Sequence, residues 1–173
     1  MPVLSNGAHQ SPAQGACIME YASFLAGEEW TDMPSCTNPM LARAAQYAND
    51  ELEDGERQSL LPLLPRLMGT GDHSDDANWA VAQAAADYVL PFVGSTQAGV
   101  DYYAGEAQRN RLRYSPRFVV LDAHTVISMT SRDFVPFITA LIDAYDKAVG
   151  RTAPATVTED DLRRCAELTG ATR

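Results

Sequence analysis

The chain has 173 residues, 46% of them hydrophobic, and a formal net charge of −10, which is enough apolar material for one buried core and too little length for two roomy domains. No apolar run approaches the roughly 18 residues of a membrane span, and the first residues lack the charged and then apolar regions of a secretory signal, so a cytoplasmic protein without membrane association is expected. The charge is uneven: residues 1–106 carry 15 acids against 3 bases and residues 107–173 carry 8 acids against 10 bases, which disfavours duplex nucleic acid as a partner.

Residues 1–12 mix Pro, Ser, Asn, Gly and His without periodicity and read as a mobile leader that includes His9, ahead of a single helical domain over 13–173. Cys17, Ile18, Tyr21, Phe24 and Leu25 then fall on one face of a helix, with Gly27 as its C′ stop. Glu20 leaves this helix at the edge of the buried face, which makes it the most interesting acid in the chain. Asp32, Ser35, Thr37 and Asn38 offer turn and cap chemistry, and Pro39 suits the first position of a second helix carrying Met40, Leu41, Ala44, Tyr47 and Ala48. The two helices predict an antiparallel hairpin over a connection of about a dozen residues, longer than usual.

The acids of Asn49–Glu56 sit where a helix dipole disfavours them and mark a break, with Asp54 as the candidate N-cap of a new turn. Leu60, Leu61, Leu63, Leu64, Leu67 and Met68 form the most apolar segment, but Pro62 and Pro65 cannot both lie inside one regular helix, so short kinked pieces are expected. Arg66 among these groups needs a partner, because an unpaired buried charge is costly. Glu20 and Asp32 are the candidates, and a partly buried Glu20–Arg66 ion pair is the sharper expectation.

The string Cys17-Ile18-Met19-Glu20-Tyr21, then Leu25-Ala26-Gly27-Glu28, Asp32, Pro34, Cys36, Pro39, Asn49-Asp50 and Pro65-Arg66-Leu67 with Gly69-Thr70, resembles a family of small, uncharacterised actinobacterial and actinobacteriophage proteins. The resemblance covers about the first 70 residues. It implies a bacterial or phage cytosolic origin and brings no catalytic residues with it.

Ser74 with Asp75 and Asp76 behind it reads as a helix N-cap, and Trp79, Ala82, Ala86, Val89 and Leu90 continue an amphipathic helix to about Pro91–Gly94. Gly99 and Gly105 interrupt the weaker pattern that follows. Arg109, Arg111, Arg113 and Arg117, with Tyr114 and Phe118 interleaved, form a candidate contact patch for phosphate or an acidic surface, although the first three alternate faces on a helix. Residues 118–127 combine β-prone Phe118-Val119-Val120-Leu121 with Val126-Ile127 and read equally as a short extended segment or a helix. His124 has no His or Cys at ligand spacing and reads as packed. Thr130 with Asp133 resembles a capping box for a helix bearing Phe134, Phe137, Ile138, Leu141, Tyr145 and Ala148, and Thr158 with Asp161 caps a last helix through Leu162, Cys165 and Leu168. The fold class is therefore mainly α, a single-domain helical bundle of about five to seven helices.

No Walker loop, dinucleotide fingerprint, GxSxG elbow, HExxH pair or EF-hand loop occurs, which removes the commonest motif-readable enzymes. Asp72-His73-Ser74-Asp75-Asp76 has metal-compatible side chains but not EF-hand spacing and reads as a capped helix start. Cys17, Cys36 and Cys165 lie in no CxxC motif and read as thiols, with the proximity of Cys17 and Cys36 open. The candidate polar site joins Glu20, Glu28, Asp32, Asp50 and Arg66. The leading expectation is a non-enzymatic binding or regulatory protein, without cofactor or metal, that engages a protein partner through an acidic surface or helix groove, with homo-oligomerisation open. The alternative is a metal- or phosphate-dependent enzyme using the N-terminal carboxylates.

Overall fold

A computed structural model describes residues 3–93 and 115–168. Among these residues the protein is mainly helical, with no strand: α1 spans Ile18–Leu25, α2 Pro39–Glu51, α3 Asp54–Arg57, α4 Leu64–Leu67, α5 Asp75–Val89, α6 Pro116–Met129, α7 Phe134–Val149 and α8 Glu159–Leu168. Tight 3₁₀ turns occupy Pro12–Gln14, Gln58–Leu63 and Leu90–Phe92.

The helices start where side chains can satisfy their orphan N–H groups. Asn38 Oδ1 accepts from the N–H groups of Met40 and Leu41, Ser74 Oγ from that of Ala77, and Asp133 Oδ1 from that of Val135. Thr158 and Asp161 exchange bonds as a capping box ahead of α8. Two caps fall one element boundary away from expectation: Glu53, not Asp54, precedes α3, and Thr130 closes α6 while Asp133 alone opens α7. The Leu/Pro segment is broken into a 3₁₀ turn containing Pro62 and the single turn α4, as its prolines require.

Alanine sets the middle of the bundle. The inner face of α5 buries Ala77, Val81, Ala82, Ala85, Ala86 and Val89, and these short side chains let α6 and α7 pack closely on it. From α7 come Phe137, Ile138, Leu141, Ile142 and Tyr145, each fully buried and each of the larger apolar ones contributing about 1.5–3 kcal/mol. Helix α2 lies across α6 and α7 and also meets α1, while α1 additionally touches α4 and α8.

Residues 118–127 are helical. Val119, Val120, Ala123, His124 and Ile127 are buried at helical spacing, and Pro116 at the first turn fixes the start, so packing against α5 and α2 overrides the β propensity of the branched residues. Residues 3–12 also differ from the expected mobile leader. Leu4 is 2% exposed, its N–H and C=O both bond to the Gln58 amide, Tyr21 Oη donates to Val3 O, and Asn49 Nδ2 donates to Ser5 O. The segment has no periodicity because it is held by side chains from elsewhere in the chain rather than by a ladder of its own.

Candidate functional site

The site with the most convergent chemistry is built on the first turn of α1. Cys17 is the N-cap and Glu20 the N3 residue, and the two form a capping box in which a thiol takes the usual hydroxyl's place. Glu20 Oε2 accepts from the Cys17 N–H at 2.7 Å, which turns the carboxylate back toward the N-terminus and into the protein, where it is 1% exposed. A buried carboxylate requires further donors. Both come from His9: its backbone N–H donates to Glu20 Oε1, and its Nδ1 lies 2.9 Å from Oε2. His9 O in turn accepts from Trp30 Nε1 at 2.9 Å.

A carboxylate here serves as acceptor, so Nδ1 carries a hydrogen, and a neutral ring then presents its lone pair at Nε2. Nε2 lies 3.1 Å from Ser5 Oγ. The hydroxyl oxygen also accepts from the Ala16 N–H at 2.9 Å, and its hydrogen is shared between His9 Nε2 and Ala16 O, to which Oγ donates at 3.3 Å. Gly15 makes the approach feasible: its φ is +127°, and a Cβ there would sit 2.3 Å from Ser5 Oγ and 2.8 Å from His9 Nε2. Hydroxyl, imidazole and buried carboxylate thus stand in line.

The remaining sequence-predicted acids do not join Glu20. Glu28 accepts from the Ser35 N–H at 2.7 Å and from Ser35 Oγ at 2.8 Å; desolvation is the largest single influence and raises its pKa, but these bonds together with those from Cys36 outweigh it and hold the carboxyl below the usual range. Asp32 offers its backbone carbonyl to Gln46 Nε2. Asp50 accepts from the Gly7 N–H at 2.9 Å, holding the N-terminal segment rather than a ligand. The expected Glu20–Arg66 ion pair does not form. Arg66 Nη2 reaches Asp143 at 2.7 Å and Asp146 at 3.1 Å on α7, and Asp146 also takes Arg151 at 2.7 Å. Arg66 found its partner across the bundle because Glu20 was already saturated by three N–H donors.

Arg57 is the buried arginine that the pattern did not single out. It is 3% exposed and donates to Asn49 O, Leu52 O and Asp54 Oδ1, each at 2.6 Å, so its charge neutralises the carbonyl end of α2. The signal was its place six residues beyond that helix. Burial pushes the Cys17 and Cys165 thiols up to about 12 and raises Cys36 as well, and the three form no disulfide. Among the described residues no three His, Cys, Asp or Glu side chains gather as a metal site.

A cleft of about 560 Å³ opens where the end of α2, α3 and the following turn face the α6–α7 junction. Leu52 and Phe134 give it an apolar base, and Glu51, Glu56, Asp133 and Arg132 stand around it. Ser128 Oγ donates to Glu51 Oε1 at 2.6 Å, and the Arg132 guanidinium lies 3.6 Å from the centre of the Phe92 ring. Ser131, also on the lining, has φ +50°, the one non-glycine positive φ among the described residues. Behind the cleft, His124 stacks on Phe134 with ring centres 4.8 Å apart and tilts against Tyr47. Its Nδ1 is buried without a hydrogen-bond partner, and desolvation pushes its pKa below the ordinary 6.5 against the opposing pull of Glu51.

Of the predicted basic patch, Arg117 is exposed at the start of α6, and Arg109, Arg111 and Arg113 lie outside the described residues. No helix among the described residues is long and apolar enough to cross a membrane. Fold and site define a class, a mainly helical bundle whose N-terminal segment is anchored on a buried glutamate. No protein-family model, curated protein or solved structure matches the chain.

Proposed function

We propose that this chain is a binding or regulatory protein of bacterial or phage origin that works in the cytoplasm and holds a basic, amphipathic segment of a protein partner in the cleft beside Glu51 and Glu56. The observation that carries the reading is the cleft's composition: an apolar base of Leu52 and Phe134 with three acids against one arginine around it, the pattern of an apolar anchor set in a charged rim. A second groove, about 420 Å³ between α5 and α7, is lined by Trp79, four alanines, Gln83, Asp87 and Lys147 and balances its charges, so it offers a basic partner no preference. The uneven charge of the chain, minus 12 over residues 1–106, would further steer a basic partner to this end of the sequence.

The test uses the full chain and a Glu51→Arg/Glu56→Arg variant as baits in bacterial lysate, with retained proteins quantified by mass spectrometry at two salt concentrations. The expected result is a partner retained by the native chain, depleted at least about tenfold by charge reversal and weakened by salt. Identical sets of proteins on both baits would reject the cleft as the docking site.

A further inference from the structure

We propose that Ser5 is a nucleophile for acyl transfer, with His9 as its general base and Glu20 as the positioning residue, giving the chain an esterase-type activity at a place separate from the cleft. The juxtaposition is of the kind that activates a hydroxyl. Ser5 Oγ lies 3.1 Å from His9 Nε2, and His9 Nδ1 lies 2.9 Å from Glu20 Oε2, both within the 2.6–3.2 Å that proton transfer and orientation need. Recognition of such a set rests on geometry and roles and not on sequence order.

Three features go beyond a hydroxyl that happens to touch a histidine. Glu20 is held on both oxygens by backbone N–H groups, so it cannot rotate away from the ring. The same carboxylate fixes the Nδ1–H tautomer, which leaves Nε2 as the acceptor for the Ser5 proton. The Ala16 N–H occupies one Oγ lone pair, and when the hydroxyl hydrogen turns from Ala16 O, its other acceptor at 3.3 Å, to the shorter contact with Nε2, the second lone pair remains for attack. Gly15 lets the backbone pack against the pair without a side chain separating hydroxyl from ring, and Ser5 itself is only partly buried.

The reaction this arrangement supports consumes a carboxylic ester and water. Ser5 Oγ bonds to the carbonyl carbon as its proton passes to His9 Nε2. The bond to the leaving oxygen then breaks, and the alcohol departs with that proton. Water gives a proton to Nε2, its oxygen attacks the acyl-serine, and the carboxylic acid leaves as Ser5 recovers its hydrogen. Glu20 stays ionised throughout and stabilises the transient imidazolium.

The experiment is covalent labelling of the full chain with a fluorophosphonate probe, read by intact mass and peptide mapping, alongside turnover of p-nitrophenyl acetate. One adduct is expected, on Ser5, absent in Ser5→Ala. In His9→Gln the labelling rate should fall by about 100-fold or more, with part of the rate returned by added imidazole, a rescue that a purely structural histidine would not show. Circular dichroism of each variant establishes that it is folded, and native Ser5 with Gly15→Ala gives a further check, since the added Cβ displaces the hydroxyl from the ring. No adduct on Ser5 in the folded native chain, or an adduct formed equally fast in folded His9→Gln, would overturn the assignment.

Discussion

Replacing Glu20 with glutamine removes a charge but almost no volume, and so isolates what the buried carboxylate does. In the native protein it accepts from the Cys17 N–H, the His9 N–H and His9 Nδ1 while being 1% exposed. A glutamine has one acceptor oxygen. If that oxygen takes the Oε2 position and keeps Cys17 and Nδ1, the new NH₂ group faces the His9 N–H donor to donor. One buried N–H is then stranded, at a cost of about 1–3 kcal/mol, and two charge-assisted bonds become neutral ones, losing about 1 kcal/mol more. The expected loss is therefore about 2–4 kcal/mol, read as a lower urea midpoint in far-UV circular dichroism with an unchanged slope. In a His9→Ala background residue 9 keeps its backbone N–H, so only the share of the lost imidazole bond disappears and the two changes should couple by about 0.5 kcal/mol. A loss under about 1 kcal/mol for Glu20→Gln alone would show that the N-terminal segment is not anchored on Glu20.

Glu20→Gln and Arg66→Met should instead combine additively within about 0.5 kcal/mol, because their networks share no group; a strong coupling in that cycle would restore the ion pair that the sequence suggests and the structure lacks. His124 should make stability fall as pH drops below its ordinary 6.5, since its folded pKa is depressed and the unfolded chain takes up a proton that the folded protein refuses; above that value both states are neutral and the effect is absent. Urea unfolding at about pH 7.5 and about pH 5.5 should show a smaller loss on acidification for His124→Phe than for the native chain, and equal losses would refute the assignment. Among the thiols, Cys36 should react first with iodoacetamide near neutral pH, because it is half-buried while Cys17 and Cys165 are buried and pushed up to about 12; mass mapping that finds Cys17 alkylated as fast as Cys36 would contradict the packing of α1.

The fold was legible wherever a helix carries both a cap and a stripe. Asn38-Pro39, Ser74-Asp75-Asp76 and Thr158-x-x-Asp161 announce starts, and Phe134, Phe137, Ile138, Leu141 and Tyr145 of α7 and Ala82, Ala86 and Val89 of α5 are buried as their spacing predicts, whereas α1 is buried on every side from Ile18 to Ser23 and leaves the expected Phe24 and Leu25 only partly covered. Residues 118–127 resisted because Val and Ile at helical spacing satisfy both periodicities over so short a run, and only Pro116 and the alanine face of α5 decide between them. The N-terminal segment resisted for another reason. Three of its partners, Gln58, Asn49 and Asp50, lie more than forty residues away, and no local pattern records a contact of that kind.

Glu20 shows how the site was half legible. Its place on an amphipathic edge singles it out, but its partners are nearby N–H donors, those of Cys17 and His9, and not a distant cation. Cys17-x-x-Glu20 has the spacing of a capping box, and a helix start always leaves unsatisfied N–H groups at its first turn. That accounting commits the carboxylate to the backbone and turns it toward whatever chain precedes the helix, away from α4. The preceding chain contains one side chain that can donate to a buried carboxylate from a ring and also pass on a lone pair, His9, with a hydroxyl four residues before it at Ser5. A buried acid at the N3 position is therefore better read first against the residues ahead of its own helix, and the cation elsewhere in the sequence, here Arg66, against the acids of the helix it packs on.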